Sequence, residues 1–470
     1  ENLIVLINTI RKLFPILLLV TDSIAFYLIY YLITLFRTGE MGNFFGADQI
    51  LFTMISCNAI ALYFIGGYEY EKIQKSPRFV SEHFIASNLG GVFALFVILL
   101  FISYADRVGT NRTSLIGTFI VFSVYSILLR TLIGHIKTKR KKNKCTIIVG
   151  SDEDTYGLMK EILDQGFQEK LYVVDGNIDA SLVEKFSSIG VKVLDEDEFD
   201  PNLSVNDGRI ISRLVLAKSV NELNIDTKTK QALTNRHLQK NDVLFIETFF
   251  LSEFQYVPLN FINDSWPFKQ GFRITKNVAY FHAKRTMDII LSMIVLVVTF
   301  PAMLIAMLAV KLTSKGPIFF KQNRIGEKEI PFTLLKLRTM KVGSDKKGDY
   351  TQENDPRITS IGNFLRKSRL DELPQLINVI KGDMSLIGPR AEWDKLVETY
   401  EKEIPHYHLR HISKPGITGW AQVNYPYGAN LEDTINKLKY DLYYVRYYSL
   451  TMDLTIMIKT AYTMLFGRGR

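Results

Sequence analysis

The sequence predicts a membrane α protein joined to an α/β domain. Its parts are an N-terminal four-helix transmembrane unit (residues 1–136), a parallel-sheet middle domain (144–250), a linker (251–277) and a mostly helical C-terminal domain (278–470). Three observations carry this division. Long apolar runs crowd the N-terminal part, and short β-branched runs alternate with helical stretches in the middle. One further uncharged run interrupts a C-terminal sequence that otherwise reads as soluble. With 470 residues the chain has room for two or three domains, and 47% apolar content is high for a purely soluble protein.

The four N-terminal runs are Leu13–Phe36, Ile50–Ile65, Phe84–Tyr104 and Leu115–Ile133. Most approach the ~20 residues a bilayer-spanning helix needs, and the second is the shortest. Their succession without a small-residue cleavage site argues against a signal peptide. Orientation follows from the basic residues. Arg11 and Lys12 precede the first run, Lys72, Lys75 and Arg78 separate the second from the third, and "KTKRKKNK" (Lys137–Lys144) follows the fourth. The two remaining loops carry Arg37, and Arg107 with Arg112. This bias puts both ends of the unit, and everything after Lys144, on the cytoplasmic side. The net charge of +9 then suits anionic headgroups and phosphorylated substrates better than nucleic acid. Asp22, inside the first run and with no evident partner, reads as polar helix-packing glue. The two cysteines, Cys57 and Cys145, offer neither a disulfide framework nor a metal site.

In the middle domain, "CTIIVG", "LYVVD", "VKVLD", "RLVLA" and "DVLFIE" alternate with helical stretches at Tyr156–Gln165 and Ala180–Ser188. That alternation predicts a Rossmann-like parallel sheet. A nucleotide site at its first strand-to-helix turn, "VGSDEDTYG", is not expected. The dinucleotide fingerprint needs three close glycines, whereas here only Gly150 and Gly157 remain and Asp152, Glu153 and Asp154 would repel a phosphate. A structural or regulatory role, with partner docking or homo-oligomerisation, is the expectation.

The late apolar run holds 22 uncharged residues from Ile289 to Val310, flanked by Lys284 and Arg285 on one side and by Lys311 and Lys315 on the other. Pro301 lies at its middle, where it removes a helix hydrogen bond and bends the axis. Basic residues at both ends and a central proline together predict a helix-break-helix over 286–312 that enters one leaflet and returns.

After Gly316 the sequence is dense in basic residues, and "SRLDELPQLINVIKGDMSLIGPR" (Ser368–Arg390) sets two adjacent acids, Asp371 and Glu372, among them. Pro374 suits the first turn of a helix, which places Asp371 near its N-cap and Glu372 in its first turn. The surrounding arginines and lysines, the Gly388-Pro389-Arg390 turn, and Gly416 and Gly419 read as a phosphate-handling set. An ionised aspartate beside a glutamate that can hold a divalent cation is a pairing able to attack phosphorus. A Mg²⁺ on diphosphate oxygens, with arginines beside it, would offset the repulsion.

Several motifs of residues 278–470 resemble the bacterial sugar transferase family, the monotopic phosphoglycosyl transferases. They are Lys284-Arg285 with Asp288, the proline-broken membrane helix, "KLRTM", "LDELPQLINVIKGDMSLIGPR", "KPGITGWAQVN" and "DLYYVRYYSLTMDL". The front end and middle domain resemble its long members, the polyprenyl glycosylphosphotransferases of exopolysaccharide, capsule or O-antigen synthesis. The resemblance implies that Asp371 is the nucleophile and Glu372 a Mg²⁺ ligand. It implies a UDP-sugar donor, an aspartyl-phosphosugar intermediate, release of UMP, and polyprenyl (undecaprenyl) phosphate as acceptor. It further implies a site on the cytoplasmic face of the bacterial inner membrane, against inner-leaflet lipids. Lys336, Arg338, Arg366, Gln375 and Arg390 are the expected phosphate and substrate contacts, and Asp441 an acid behind them. Leu337, Thr339, Ala391 and "GWAQVNYPYG" depart from common forms of the motifs, which leaves the sugar open between glucose or galactose and an N-acetylated sugar. The rival expectation is a membrane assembly or regulatory protein with a retired transferase domain.

Overall fold

The computed structural model describes residues 2–38, 48–69, 77–101, 112–141, 144–195, 198, 209–240, 242–268, 278–344, 355–426, 428 and 430–465. Lys72, Lys75, Tyr104, Arg107 and residues 269–277 of the expected linker lie outside them. The chain forms two compact units, Glu1–Phe249 and Phe250–Arg470.

In the first unit, α1 (Asn2–Thr38), α2 (Asp48–Phe64), α3 (Pro77–Phe101) and α4 (Arg112–Lys141) follow the four apolar runs. Apolar windows long enough to cross a bilayer occur in α1, α3 and α4, while α2 offers the shorter stretch Gln49–Phe64. Leu, Ile, Val and Phe side chains cover their outer faces, Phe52, Val92 and Leu128 among them. Polar groups face inward. Asp22, expected to lack a partner, has one. Arg130 of α4 binds it through Nη2–Oδ2 at 2.6 Å and Nη1–Oδ1 at 3.2 Å, and also donates to Ser126 Oγ and the Gly67 carbonyl. Both charges are almost fully buried, and the guanidinium lies over the Tyr68 ring. Asn58, Ser87 and Ser123 extend the polar seam between α2, α3 and α4.

The same unit contains a five-stranded parallel sheet in the order β3-β2-β1-β4-β5. Its elements are β1 (Lys144–Val149), α5 (Glu153–Asp164), β2 (Lys170–Val174), α6 (Ala180–Ser188), β3 (Lys192–Leu194), β4 (Ile210–Leu216), α7 (Thr227–Lys240) and β5 (Val243–Phe245). The β-branched runs become its buried core, including Ile147, Val149, Val174 and Leu214. The strand order reverses beside β1, the place where doubly wound sheets receive ligands. Here that turn is already occupied by protein groups. Asp152 caps α5 by accepting from the Thr155 amide and meets Lys218 at 3.1 Å, while Asp175 accepts from the Ser151 amide and hydroxyl. Gly150 takes φ +99°, and a Cβ there would meet Leu223 at 2.8 Å.

The helix α8 (Ile246–Glu253) carries the chain into the second unit. The described part of the expected linker is no linker. Leu251, Val257, Ile262 and Trp266 are buried with Val397, Tyr400, Ile404, Tyr407, Leu438 and Leu442. The Val257 amide donates to the Lys439 carbonyl, and Trp420 Nε1 to the Gln255 carbonyl. The apolar side chains of this stretch belong to the C-terminal core, so the domain begins some 20 residues or more before its first motif.

Next comes α9 (Val278–Thr313), with Pro301 inside it. The expected break is not a break in helical structure, since the helix continues through the proline. Thr299 donates its hydroxyl to the Val295 carbonyl at 2.7 Å, a bond of the kind that bends helices without ending them. Both arms of α9 pack on the same unit. In the N-terminal arm, Lys284 and Tyr280 bind Asp453, Asp288 accepts from the Leu386 amide, and Arg285 donates to the Val379 and Ile380 carbonyls at 2.5 and 2.7 Å. In the C-terminal arm, Ala306 and Val310 pack with Leu337 and Leu365. Between the arms Met293, Ile294, Val297, Val298, Phe300 and Ile305 are exposed.

The remaining elements are the antiparallel hairpin β6 (Phe319–Ile325) and β7 (Pro331–Leu337), α10 (Ser360–Lys367), a 3₁₀ turn (Leu370–Glu372), α11 (Gln375–Lys381), β8 (Ser385–Ile387) and α12 (Asp394–Glu403). After a second 3₁₀ turn (Tyr407–Ile412) come β9 (Gly416–Thr418), parallel to β8, then α13 (Trp420–Asn424), α14 (Leu431–Tyr447) and α15 (Leu450–Leu465).

Candidate active site

The two acids do not cap α11, as Pro374 suggested they would. They occupy the separate 3₁₀ turn before it, closed by Glu372 N to Arg369 O at 3.2 Å, and Arg369 enters that turn with φ 58°. A left-handed arginine is an uncommon conformation and ends α10 sharply. Asn378 stitches α11 to β7, donating to the Thr333 carbonyl at 2.8 Å and accepting from the Leu335 amide at 3.1 Å. That register sets Lys336 beside the acid pair.

Asp371 is 7% exposed, and its Oδ1 is buried without a hydrogen-bond partner. Burial pushes its carboxyl above the ordinary range; the Glu372 charge adds to this, while Lys336, Arg366 and Arg369 oppose it. Glu372 is shifted the other way. Its Oε1 meets Lys336 Nζ at 2.9 Å and Arg390 Nη2 at 3.1 Å, and its Oε2 lies 3.7 Å from Arg369 Nη1. Burial alone would raise this carboxyl, but the three cations outweigh it and hold the group well below the usual carboxylate range.

Of the residues singled out by sequence, Lys336, Arg366 and Arg390 act electrostatically on the pair. Gln375, in the first turn of α11, is buried with Nε2 unpartnered. Arg338 donates Nη2 to the Ser314 carbonyl and hydroxyl just beyond α9, at 2.8 and 2.7 Å, and its buried Nε and Nη1 have no hydrogen-bond partner. The glycines of "GPR" and "KPGITG" pack against each other and do not form an open phosphate cradle. A Cβ on Gly416 would lie 2.1 Å from the Gly388 nitrogen, and one on Gly419 2.1 Å from the Gly388 oxygen. Their smallness lets β8 and β9 approach and so aims Arg390. Asp441 sits behind the site, paired with the buried Arg410 at 2.8 Å.

Arg369, Arg324 and Arg410 were not identified by sequence reasoning. Arg369 stands in the noted basic stretch. Arg324 and Arg410 are far from the acids in sequence and look like surface cations there.

Among the described residues no group of three or more acidic, imidazole or thiol side chains could cage a metal. The donors present fit instead a Mg²⁺ held by one or two carboxylates and completed by substrate oxygens. Glu372 is a buried ionised carboxylate, and Asp371 Oδ1 is an acceptor with no protein donor.

A profile described as bacterial sugar transferase matches residues 279–467. Among the relatives is a UDP-N-acetylgalactosamine-undecaprenyl-phosphate N-acetylgalactosaminephosphotransferase of Aeromonas hydrophila, 45% identical over 191 residues, covering 40% of this chain and 45% of the relative. A UDP-glucose:undecaprenyl-phosphate glucose-1-phosphate transferase of Escherichia coli (strain K12) is 44% identical over 182 residues, covering 38% of this chain and 39% of its own. In both, the match spans less than half of the relative's length. The exopolysaccharide production protein PSS of Rhizobium leguminosarum bv. phaseoli is 40% identical over 194 residues, covering 40% of this chain and 97% of the relative. With the acid pair, its cationic shell and a match along nearly the whole of a compact relative, the chain belongs to the bacterial sugar transferase family.

Proposed function

We propose that the C-terminal unit transfers a sugar 1-phosphate, with a hexose the first expectation, from a UDP-sugar to polyprenyl phosphate. The observation that carries this reading is Asp371 Oδ1, a buried carboxylate oxygen left without a donor while cations surround it. Buried polar atoms are ordinarily paired, and an unpaired one in a cationic site is suited to attack.

In the first step the Asp371 carboxylate attacks the sugar-linked phosphorus. The Asp–O–P bond forms, the bond to the UMP oxygen breaks, and UMP leaves with that electron pair. In the second, an oxygen of polyprenyl phosphate attacks the same phosphorus and displaces the Asp371 carboxylate, giving polyprenyl diphosphate sugar. Lys336, Arg366, Arg369 and Arg390 offset the phosphate charge at both steps. Glu372 holds Lys336 and Arg390 in place, and with Asp371 it would hold a Mg²⁺. When bound, the ion would neutralise the diphosphate. The relatives named for N-acetylgalactosamine and for glucose differ by one per cent in identity, 45% and 44%, so the donor is identified by assay.

The two arms of α9 on one unit, with an exposed apolar middle, support a re-entrant helix reaching only the inner leaflet. The site would then face the cytoplasm, where UDP-sugar and lipid phosphate meet. The reaction would open the synthesis of an exopolysaccharide, capsule or O-antigen.

Purified protein incubated with UDP-sugars labelled in the sugar, without acceptor, should retain label and release UMP. Asp371→Asn should abolish both, with turnover down at least ~10³-fold. Substantial turnover by that variant would exclude the covalent route.

A further inference from the structure

Four consecutive main-chain carbonyls around Arg390 are each held by a donor. The Gly416 amide donates to Pro389 O at 2.8 Å, and the Ile325 amide to Glu392 O at 3.1 Å. The two between are held by arginine side chains that the reaction above does not use. Arg410 donates Nη2 to Arg390 O at 2.9 Å, and Arg324 donates Nη1 to Ala391 O at 3.0 Å.

Each of these guanidiniums is itself fixed. Arg410 is buried, bonded to Asp441 Oδ2 through Nε and Nη2 at 3.2 and 2.8 Å and to the Tyr407 hydroxyl at 2.8 Å, and it lies against the Tyr407 ring. Arg324 donates Nη2 to Gln322 Oε1 at 2.6 Å and lies 3.7 Å from Glu392 Oε2. Burying a charged pair costs desolvation, and the pair gives little net stability in return. What these pairs secure here is the direction of a short backbone segment. From that segment Arg390 reaches Glu372 Oε1 at 3.1 Å.

We propose that Arg410, held by Asp441, and Arg324 are positioning residues. They fix the 389–392 backbone so that the Arg390 guanidinium stays on Glu372 and beside the phosphates of the donor. The catalytic consequence rests on the function proposed above; the backbone geometry does not.

The test uses the full chain, with Arg410→Lys and Arg324→Lys each made alone and together with Arg390→Ala. Lysine keeps the charge and loses the forked donors. Each single variant should lower kcat/KM for UMP release about tenfold or more, yet less than ~2-fold in the Arg390→Ala background, because both changes act through one guanidinium. Hydrogen exchange across residues 389–393 should quicken in both lysine variants while distant segments keep their rates. Equal losses in the two backgrounds, or unchanged exchange at 389–393, would overturn the proposal. If Arg410→Lys unfolds the protein, Arg324→Lys decides. If the native chain releases no UMP from any UDP-sugar, the functional reading fails, and the exchange measurement judges the clamp by itself.

Discussion

Burial pushes the Asp371 carboxyl up while Lys336, Arg390 and Arg369 hold Glu372 down, so two neighbouring acids of similar intrinsic acidity are shifted in opposite directions. The difference arises from pairing: Glu372 has three cations at contact distance, and Asp371 Oδ1 has no donor. This gives a signed pH prediction. Asp371 must be ionised to attack, so labelling should be lost as pH falls through its raised value, above the ordinary ~3.9. Glu372→Gln removes a negative charge that raises Asp371 and should move this acid limb down. Lys336→Met removes a positive charge that lowers it and should move the limb up. The pH dependence of covalent labelling, measured for all three proteins, checks both signs, and limbs that stay put would separate Asp371 from the labelled group. Chelation should silence the native enzyme and added Mg²⁺ restore it; full activity in excess chelator would remove the metal role given to Glu372.

Among the elements, α9 makes the strongest demand. A 36-residue helix is ~54 Å long at 1.5 Å per residue, well beyond the ~30 Å hydrocarbon core, yet each end is tied to the same unit. If it re-enters, Arg285 and Lys311 face the same side. In a background lacking Cys57 and Cys145, Arg285→Cys and Lys311→Cys should both resist an impermeant thiol reagent in intact cells. Both should react once the cytoplasmic face is opened. Labelling of Lys311→Cys from outside, in an active protein, would make α9 a spanning helix. Pro301→Leu should straighten the helix and cost activity, since the C-terminal arm carries Val310 against Leu337, the strand neighbour of Lys336.

At the scale of the molecule, the C-terminal unit begins near Phe250 and not at its first motif. A truncated chain starting at Phe250 should keep labelling activity in detergent. One starting at Asn277 lacks Leu251, Val257, Ile262 and Trp266, each contributing about 1.5–3 kcal/mol of burial, and should be much less stable in thermal unfolding. Equal stability of the two would mean that this segment only decorates the core. In the four-helix unit, Arg130→Leu leaves the Asp22 carboxylate buried without its cation, with the Tyr68 hydroxyl still beside it, a loss of about 3 kcal/mol or more. The double change with Asp22→Leu should recover most of it, and a melting comparison of the two variants tests that ordering.

The sequence by itself determined what repeats along the chain or lies close in it. Apolar runs near bilayer length specified long apolar helices, β-branched runs alternating with helices specified a parallel sheet, and adjacent acids in a basic stretch pointed to the candidate site. Only tertiary structure could decide pairings between distant residues. Asp22 with Arg130, Arg410 with the Arg390 carbonyl, and Arg338 with Ser314 each depend on which surfaces meet after folding. The same holds for the glycines of β8 and β9, whose smallness answers a backbone in another segment, and for residues 251–268, whose apolar side chains look like any interdomain stretch until their partners are known. The physical reason is common to all of them. Local periodicity and propensity are properties of a window of sequence, whereas the energy of a buried charge or a close backbone contact is set by a neighbour that can stand a hundred residues away.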